Sequence, residues 1–443
     1  MSRRLRLAGA GLGAVLLAIG AAPAGAATWS SPKAYDRPPA SCGRHAPQLV
    51  ACIVEPAPRV AVNAHGAAVA AWVGPGTRVR VAVARRPGRF GAATTLAARG
   101  LRPTSAIAPD GTVTVVWEGA HGTLRVARRR PDRPRFAASM PLAPRGSQRG
   151  DQLAEAAAQR DGSVVVIYES GGHLRAVAIS AAGRPGAPAT LGNGRFSNDR
   201  TRAAPDGTHA ACCVRPVVSD PNVPPDTAAR VAVYRAATGW RLASAEAVGR
   251  DAIETVFGTA TDLVLGTIEV DQGGDAGVLG VPSLARAGAG DAIAAPLRAP
   301  VIRRSRGLAP SAAIDGSGRS VLLFQEKARS QPFSRTAPVY ASVAAPNATA
   351  LPSRRRLDAR AAYEPAVRPF GSGAIGVWQV PGARWGVAIE RDGTFRQAPA
   401  PAGPGPSTLG EDFNYAYDIQ TSARHAVLGW VASDGSVRVS ELS

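Results

Sequence analysis

Apolar and polar positions alternate in short runs along most of the chain, and each run ends at a turn. Residues Ala108 to Arg130 show the pattern once: Asp110-Gly111 favours a two-residue hairpin turn, and the β-branched and aromatic residues from Thr112 to Trp117 favour a strand. Gly119 to Gly122 breaks this strand, and Leu124-Arg125-Val126-Ala127 begins the next one. Such a meander has two faces to cover, so other segments must pack against it.

The same pattern recurs at intervals of 45 to 56 residues. In five places a turn glycine precedes a large residue by six positions, and in three more the glycine is displaced or absent. These large residues, called the anchors below, are Trp72, Trp117, Tyr168, Cys213, Ile268, Phe324, Trp378 and Trp430. A further apolar strand follows each anchor, and a fourth strand often opens with an aromatic residue. Four short strands per repeat are the plan of a β-propeller blade, so the sequence predicts eight blades, with seven as the alternative.

The two ends of the chain complete this prediction. Trp430 is followed by enough residues for a third strand but not for a fourth, whereas Trp29 to Tyr35 resembles a fourth strand with no repeat before it. We therefore expect this N-terminal strand to complete the last blade, which leaves no open edge. The expected fold class is all-β, with residues 27–443 as a single domain. Residues 27–57 hold the closing strand and a cysteine loop, and residues 58–443 hold the blades.

The first 26 residues have a different pattern. Arg3, Arg4 and Arg6 form a charged start, Leu7 to Ala22 is apolar, and Ala24-Gly25-Ala26 is a small-residue cleavage site. We predict a signal peptide over residues 1–26 and a protein that is secreted or held outside the cytoplasmic membrane in the cell envelope. The start fits the general secretory route or the twin-arginine route. No later stretch is apolar enough to span a bilayer.

The formal net charge of +20 raises the question of an anionic partner. Nearly all of the positive charge is arginine, since Lys33 and Lys327 are the only lysines. The arginines are spread over turns and strand ends, with dense runs only at Arg128-Arg129-Arg130 and Arg354-Arg355-Arg356. A solvated surface is the simpler interpretation, and salt-sensitive adhesion to acidic polymers of a cell surface is the alternative. We predict no specific nucleic-acid partner.

Four cysteines in an exported chain suggest disulfide bonding. Cys42 and Cys52 lie in one connection and are the candidate disulfide. Cys212 and Cys213 are adjacent, and neighbouring Cα atoms lie about 3.8 Å apart, below the usual disulfide range. Two buried thiols are favoured there over a vicinal bridge.

One polar position recurs directly after the anchors. Its members are Glu118, Glu169, Glu269, Gln325 and Gln379. Side chains alternate along a strand, so these five should point away from the anchor side, near the loops that join second and third strands. Those loops are longer at Arg215 to Ala229, Val270 to Ala276 and Gln325 to Pro338, where they add Asp220, Asp226, Asp271 and Asp275. Insertions on one face often mark a binding face, so both sets form a candidate ligand face. Pairing with arginines of the next blade, and neutral drift of the loops, are the competing interpretations.

Motifs for catalysis and metal binding are scarce. The six histidines show no paired spacing, and neither a nucleophile elbow nor a phosphate-binding loop is present. Glu269-Val270-Asp271 with Asp275 could chelate calcium, although a solvated turn is the simpler interpretation. We predict no catalytic residue, no cofactor and no resident metal.

Two propeller families resemble parts of the chain. The turns at Pro109-Asp110-Gly111, Arg160-Asp161-Gly162 and Pro205-Asp206-Gly207 resemble the Pro-Asp-Gly repeats of TolB-type propellers. The longer pattern, a strand ending in Trp and then Val-Ala-Arg-Arg-Pro, is similar to secreted bacterial repeat proteins described as sialidase-like. The turn motif of sialidases has the wrong spacing at Ser311 to Gly316, so their catalytic residues are not carried over.

These observations predict an exported, monomeric propeller that acts as a binding or scaffold module. Its partner would be an unidentified polymer or protein of the cell envelope, such as a polysaccharide or a peptide. The alternative is an extracellular glycosidase, sialidase-like, or a lyase that uses the propeller face.

Overall fold

The computed structural model describes most of the chain between residues 27 and 443, and all structural statements concern those residues. They are 27–37, 57–119, 122–142, 153–170, 173–193, 195–196, 202–203, 209–215, 230–235, 238–244, 252–258, 263–270, 280–287, 293–300, 305–328, 336–382, 384–406 and 417–443. They form 32 strands, and none of them lies in an α-helix. The all-β class is therefore confirmed.

Three four-stranded antiparallel sheets come first, each with its strands in chain order. The first sheet is β2 (Arg59–Val62), β3 (Ala68–Gly74), β4 (Arg78–Ala84) and β5 (Thr94–Ala97). The second sheet is β6 (Leu101–Ile107), β7 (Val113–Glu118), β8 (Leu124–Arg129) and β9 (Met140–Pro141). The third sheet is β10 (Leu153–Ala158), β11 (Val164–Ser170), β12 (His173–Ile179) and β13 (Ala189–Asn193).

The next strands form a fourth sheet and then one long antiparallel ladder. The fourth sheet is β14 (Arg195–Phe196), β15 (Arg202–Ala203), β16 (His209–Arg215), β17 (Arg230–Arg235) and β18 (Gly239–Ser244). The ladder begins with β19 (Ala252–Gly258), β20 (Leu263–Val270), β21 (Gly280–Ala287), β22 (Leu297–Arg298) and β23 (Ser305–Ile314). It continues with β24 (Ser320–Ala328), β25 (Ala337–Ala344), β26 (Arg355–Phe370), β27 (Gly373–Val380), β28 (Arg384–Arg391) and β29 (Thr394–Gln397).

This ladder is continuous where the repeat pattern predicts separate units. Gly280 of β21 pairs with Gly307 of β23, which joins two groups of strands through one residue pair. The 16-residue strand β26 pairs with β25 through its first half and with β27 through its second half. One extended strand thus serves as the last strand of one group and the first strand of the next.

The closing sheet contains both ends of the described chain. It consists of β1 (Lys33–Tyr35), β30 (Tyr417–Thr421), β31 (Ala426–Val431) and β32 (Val437–Leu442), in the order β1-β32-β31-β30. Lys33 pairs with Val439 and Tyr35 with Val437 in antiparallel register. The predicted pairing of the N-terminal strand with the C-terminal sheet is confirmed.

The turn between first and second strands differs from the predicted two-residue hairpin. Ala108 and Thr112 close a three-residue loop, because the Ala108 N–H donates to the Thr112 carbonyl and the Gly111 N–H donates to the Ala108 carbonyl. Gly111 has φ of 86°, in the left-handed region that glycine adopts without strain. The φ of Asp110 is not positive. A two-residue type I′ turn would need positive φ at both central residues.

The strand groups follow one another in a circle. The first strands of successive groups are in contact, β2 with β6, then β10, β15, β19, β23, β26 and β30, and β30 returns to contact β2. Apolar clusters lie between consecutive groups, and the anchors Trp72, Trp117, Tyr168, Phe324, Trp378 and Trp430 are at most 2 % exposed. A circle of antiparallel sheets that cover one another is the β-propeller arrangement.

Candidate functional site

The polar position after the anchors is used in part to fasten the sheets. Glu118 lies 3.8 Å from the guanidinium of Arg102, which belongs to the same sheet rather than to the next one. Gln325 is buried, and its Nε2 donates to the carbonyl of Ala362 on β26. Gln379 is also buried, and Glu169 is half-buried. For Glu118 and Gln325, the contacts are structural ones within the ring.

The rest of the predicted ligand face is not described. Glu269 lies in β20, but its side chain is outside the described residues, as are Asp220, Asp226, Asp271 and Asp275. Strand β24 runs on through Gln325 to Ala328, so part of that predicted insertion is regular strand. Cys42 and Cys52 also lie outside the described residues. The ligand face and the disulfide therefore stay predictions.

The first strands of the groups, which lie toward the middle of the ring, are joined to one another by polar side chains. Asp418 of β30 accepts a hydrogen bond from the Val60 N–H of β2 at 3.0 Å. Ser105 donates to the carbonyl of Arg59 at 3.1 Å, and buried Arg368 donates from Nε to the carbonyl of Ile419 at 3.1 Å. Polar groups toward the middle of the ring are thereby used in joining neighbouring sheets.

Two of the buried tryptophans donate their indole N–H to an aspartate. Trp72 Nε1 lies 2.8 Å from Asp36 Oδ2, and Trp378 Nε1 lies 2.9 Å from Asp358 Oδ2. Burial alone would raise the pKa of Asp358, but the hydrogen bonds from Arg360 and Trp378 outweigh it and hold the pKa below the usual value. Both aspartates fix a core side chain and serve the fold.

Two adjacent arginines on β8 point to opposite sides of the second sheet, because side chains alternate along a strand. Arg128 faces the third sheet, where Nη1 donates to the carbonyls of Ser180 and Ala181 and Nη2 donates to that of Gly162. Arg286 of β21 joins its group to the one that contains β24 and β25 in the same way, through the carbonyls of Pro346 and Gly318. These arginines clamp one group of strands to the next.

Arg129 faces the first sheet, where a cleft of about 320 Å³ separates the two sheets. We call this the arginine cleft. It is lined by Val81, Val83, Arg85, Arg86, Arg89, Gly91, Ala92, Thr94, Arg129 and Phe136. Four of these side chains are arginines, and none of the described residues that line the cleft is acidic. The arginine cleft is the candidate functional site.

Among the described residues, Arg129 has no carbonyl partners like those that hold Arg128. Arg129 lies over the ring of Phe136, 5.5 Å from its centre, and its buried Nε has no hydrogen-bond partner among the described residues. Burial, and secondly the charge of Arg85, lower the pKa of Arg129 below the usual arginine value. Arg85, Arg86 and Arg89 are exposed on the turn after β4. The cleft therefore concentrates positive charge beside apolar surface, which favours an anionic ligand.

The sequence shows the arginine run that contributes to this cleft, but it does not show which side chain points into the cleft. The run Arg128-Arg129-Arg130 stands out, but a solvated surface explains it equally well from sequence alone. The structure separates the three residues: Arg128 joins two sheets, Arg129 lines the cleft, and Arg130 pairs with Asp132 at 3.2 Å. The direction of each side chain depends on strand register, so the register decides which arginine joins two sheets and which one lines the cleft.

Among the residues that the structure describes, no group of three or more His, Cys, Asp or Glu side chains is placed to hold a metal ion. No helix within the described ranges is long and apolar enough to cross a membrane.

Several solved structures are similar to this chain in fold, but the chain matches no known family. No family model matches the chain, and no curated protein matches it. The BP39L lectin from Burkholderia pseudomallei is similar, at 13% identity and TM-score 0.47 over 79% of this chain and 100% of that one. An oligogalacturonate lyase in complex with manganese is similar at 11% identity and TM-score 0.46, covering 89% and 98%. The WD40 domain of SCAP from fission yeast is similar at 12% identity and TM-score 0.44, covering 88% and 96%. We therefore infer function from the geometry of this chain alone.

Proposed function

We propose that this protein is an exported β-propeller that binds an acidic polymer of the cell envelope through the arginine cleft. The observation that carries the proposal is the set of four arginines around one cleft with no carboxylate among the described lining residues. Arg129 is half-buried and its Nε has no hydrogen-bond partner among the described residues, which favours an anion beside it. Arginine also presents its N–H groups in a planar fork that fits carboxylates and phosphates.

We further propose that the ring has eight blades. The long ladder divides naturally at the single Gly280–Gly307 pair and in the middle of β26, which gives three groups of strands. Together with the four sheets before it and the closing sheet, this makes eight groups. Eight apolar clusters among the described residues, each shared by consecutive groups, support the same count.

The export part of the proposal rests on the leader pattern of residues 1–26. Removal of the three leader arginines lowers the net charge from +20 to +17. This positive charge outside the cell suits adhesion to acidic surface polymers, because attraction between opposite charges raises the local concentration of the polymer. Such binding weakens as salt is added, since the Debye length falls to about 10 Å at 0.1 M.

The test is affinity electrophoresis of the purified protein through gels that contain alginate or neutral dextran, at several salt concentrations. The triple variant R86Q/R89Q/R129Q should lose at least about tenfold in affinity for alginate, which is about 1.4 kcal/mol. The matched control R384Q/R391Q/R396Q removes the same charge from exposed residues of β28 and β29, and should bind like the wild type.

Equal losses in both triple variants would contradict the proposal, because net charge and not the cleft would then carry the binding. Release of reducing ends from alginate by the wild type would point instead to the hydrolytic or lyase alternative.

A further inference from the structure

We propose that the arginine cleft binds a single acidic sugar unit, a hexuronic acid within a polysaccharide, rather than an inorganic anion. This inference rests on the proposed function and names the ligand of the same site. The carboxylate would lie between Arg85 and Arg129, which come from neighbouring sheets. The sugar ring would lie along the apolar side of the cleft.

The size of the cleft exceeds what an inorganic anion needs. A volume of about 320 Å³ corresponds to roughly ten water molecules at about 30 Å³ each. Small-molecule sites in proteins begin at about 300 Å³. A phosphate ion would leave much of this space to solvent, whereas one sugar ring with its carboxylate uses it.

The lining is mixed in the way that an acidic sugar requires. Val83 and Ala92 offer apolar surface, which an inorganic anion does not use but the C–H groups of a sugar ring do. Thr94 adds a hydroxyl that can donate a hydrogen bond to a sugar hydroxyl or accept one from it. Cationic, apolar and hydroxyl groups therefore meet within one cleft.

Phe136 acts as a positioning residue for Arg129. The contact between the guanidinium and the aromatic ring at 5.5 Å holds the arginine in place. Arg85 is held by a hydrogen bond from Nη2 to the carbonyl of Arg133 at 3.2 Å. Both guanidiniums are thus oriented before a ligand arrives, which lowers the entropy cost of binding.

The cleft is also open to a polymer. Thr94 belongs to β5, the outermost strand of the first sheet, and Phe136 precedes β9, the outermost strand of the second. The cleft therefore opens at the circumference of the ring. An internal unit of a long chain can reach it without a free end.

The test is isothermal titration of alginate oligomers, carboxyl-reduced alginate oligomers and inorganic phosphate into the purified protein. We expect the uronate oligomers to bind, the carboxyl-reduced oligomers to bind at least tenfold more weakly, and 10-fold excess phosphate over the oligomer to displace little of it. R129Q should lower uronate affinity about tenfold, and F136L should lower it less, because it removes only the ring that positions Arg129.

R128Q is the matched control, since it changes the adjacent arginine on the opposite side of the same strand. We expect it to unfold at a lower temperature than R129Q while keeping wild-type uronate affinity. This inference would be overturned if carboxyl-reduced oligomers bound as tightly as uronate oligomers, or if phosphate fully displaced the uronate oligomers. The proposed function would still stand in either case if the triple variant lost its affinity for alginate. Unchanged alginate binding by the triple variant would overturn both.

Discussion

The carboxyl group of Glu441 lies buried at the seam between the closing sheet and the first sheet. Its Oε2 accepts a hydrogen bond from the Gly88 N–H at 2.7 Å, and its Oε1 lies 3.1 Å from Nδ1 of His425. Burial raises the pKa of Glu441 to about 7. Burial, and secondly Arg424, lower the pKa of His425. Both groups therefore favour their neutral forms in the folded protein.

This pair makes the stability of the seam depend on pH. The folded carboxyl keeps its proton up to about pH 7, whereas the unfolded one loses it near 4.5, so stability from Glu441 falls as pH rises through this interval. His425 acts in the opposite sense, because the unfolded histidine binds a proton more readily below about pH 6.5. We expect E441Q to lose the first effect and keep the second.

Thermal unfolding at pH 5, 6, 7 and 8 measures the difference. The melting temperature of E441Q relative to wild type should rise between pH 5 and pH 7.5. A constant difference across this range would show that the Glu441 carboxyl does not titrate there.

At the scale of the element, the first strands of the repeats carry a feature that the alternation pattern did not predict. Their register with the second strand shifts by a bulge, between Leu101 and Thr104 in β6 and between Leu308 and Ser311 in β23. Pro103 and Pro310 lie within these two bulges. Proline has no N–H to give to a ladder, so the sequence did contain a signal for the interruption.

The closing strand β1 is short, yet its side chains reach deep into the first sheet. Tyr35 is 8% exposed, its ring lies 5.1 Å from that of Trp72, and its hydroxyl donates to the carbonyl of Gly91 at 2.8 Å. Lys33 donates to the carbonyl of Phe90 at 2.7 Å. Three residues of strand thus connect two sheets.

Truncation of Tyr35 should therefore destabilise the whole ring. We expect Y35A to lower the free energy of unfolding by about 3 kcal/mol, since it removes a buried aromatic ring. Y35F is the control and should cost about 1 kcal/mol, because it removes only the hydrogen bond. Urea unfolding measures both, and equal effects of the two changes would show that the ring of Tyr35 does not support the seam.

The elements were more predictable than the site, for a physical reason. Anchors such as Trp117 and strands such as β8 follow from local alternation, and closure follows from counting strands at each end. The arginine cleft depends on which sheet each arginine faces and on which carbonyls lie within its reach. Arg128 and Arg129 have the same neighbours in sequence and different partners in space, which a local pattern does not encode.

At the scale of the whole molecule, the proposed export has a direct test. Removal of the leader should leave a mature chain that begins at Ala27, two residues before Trp29 reaches the closing sheet. Expression in a bacterial host, fractionation and N-terminal sequencing should find that chain outside the cytoplasm. The variant A24D/A26D blocks a small-residue cleavage site and should keep the leader attached. A wild-type protein that stays cytoplasmic with its full N-terminus would contradict export.

Because β1 pairs with β32, the closing sheet forms only in a chain that includes both strands. Ser440 Oγ donates to the carbonyl of Ser30, a residue 410 positions earlier. Strand β1 is therefore synthesised long before its partner β32, and a polypeptide cut short before Val437 keeps Tyr35 without that partner. Such a truncated product presents unpaired backbone and a solvent-exposed aromatic ring to proteases, so the absence of β32 marks it for degradation.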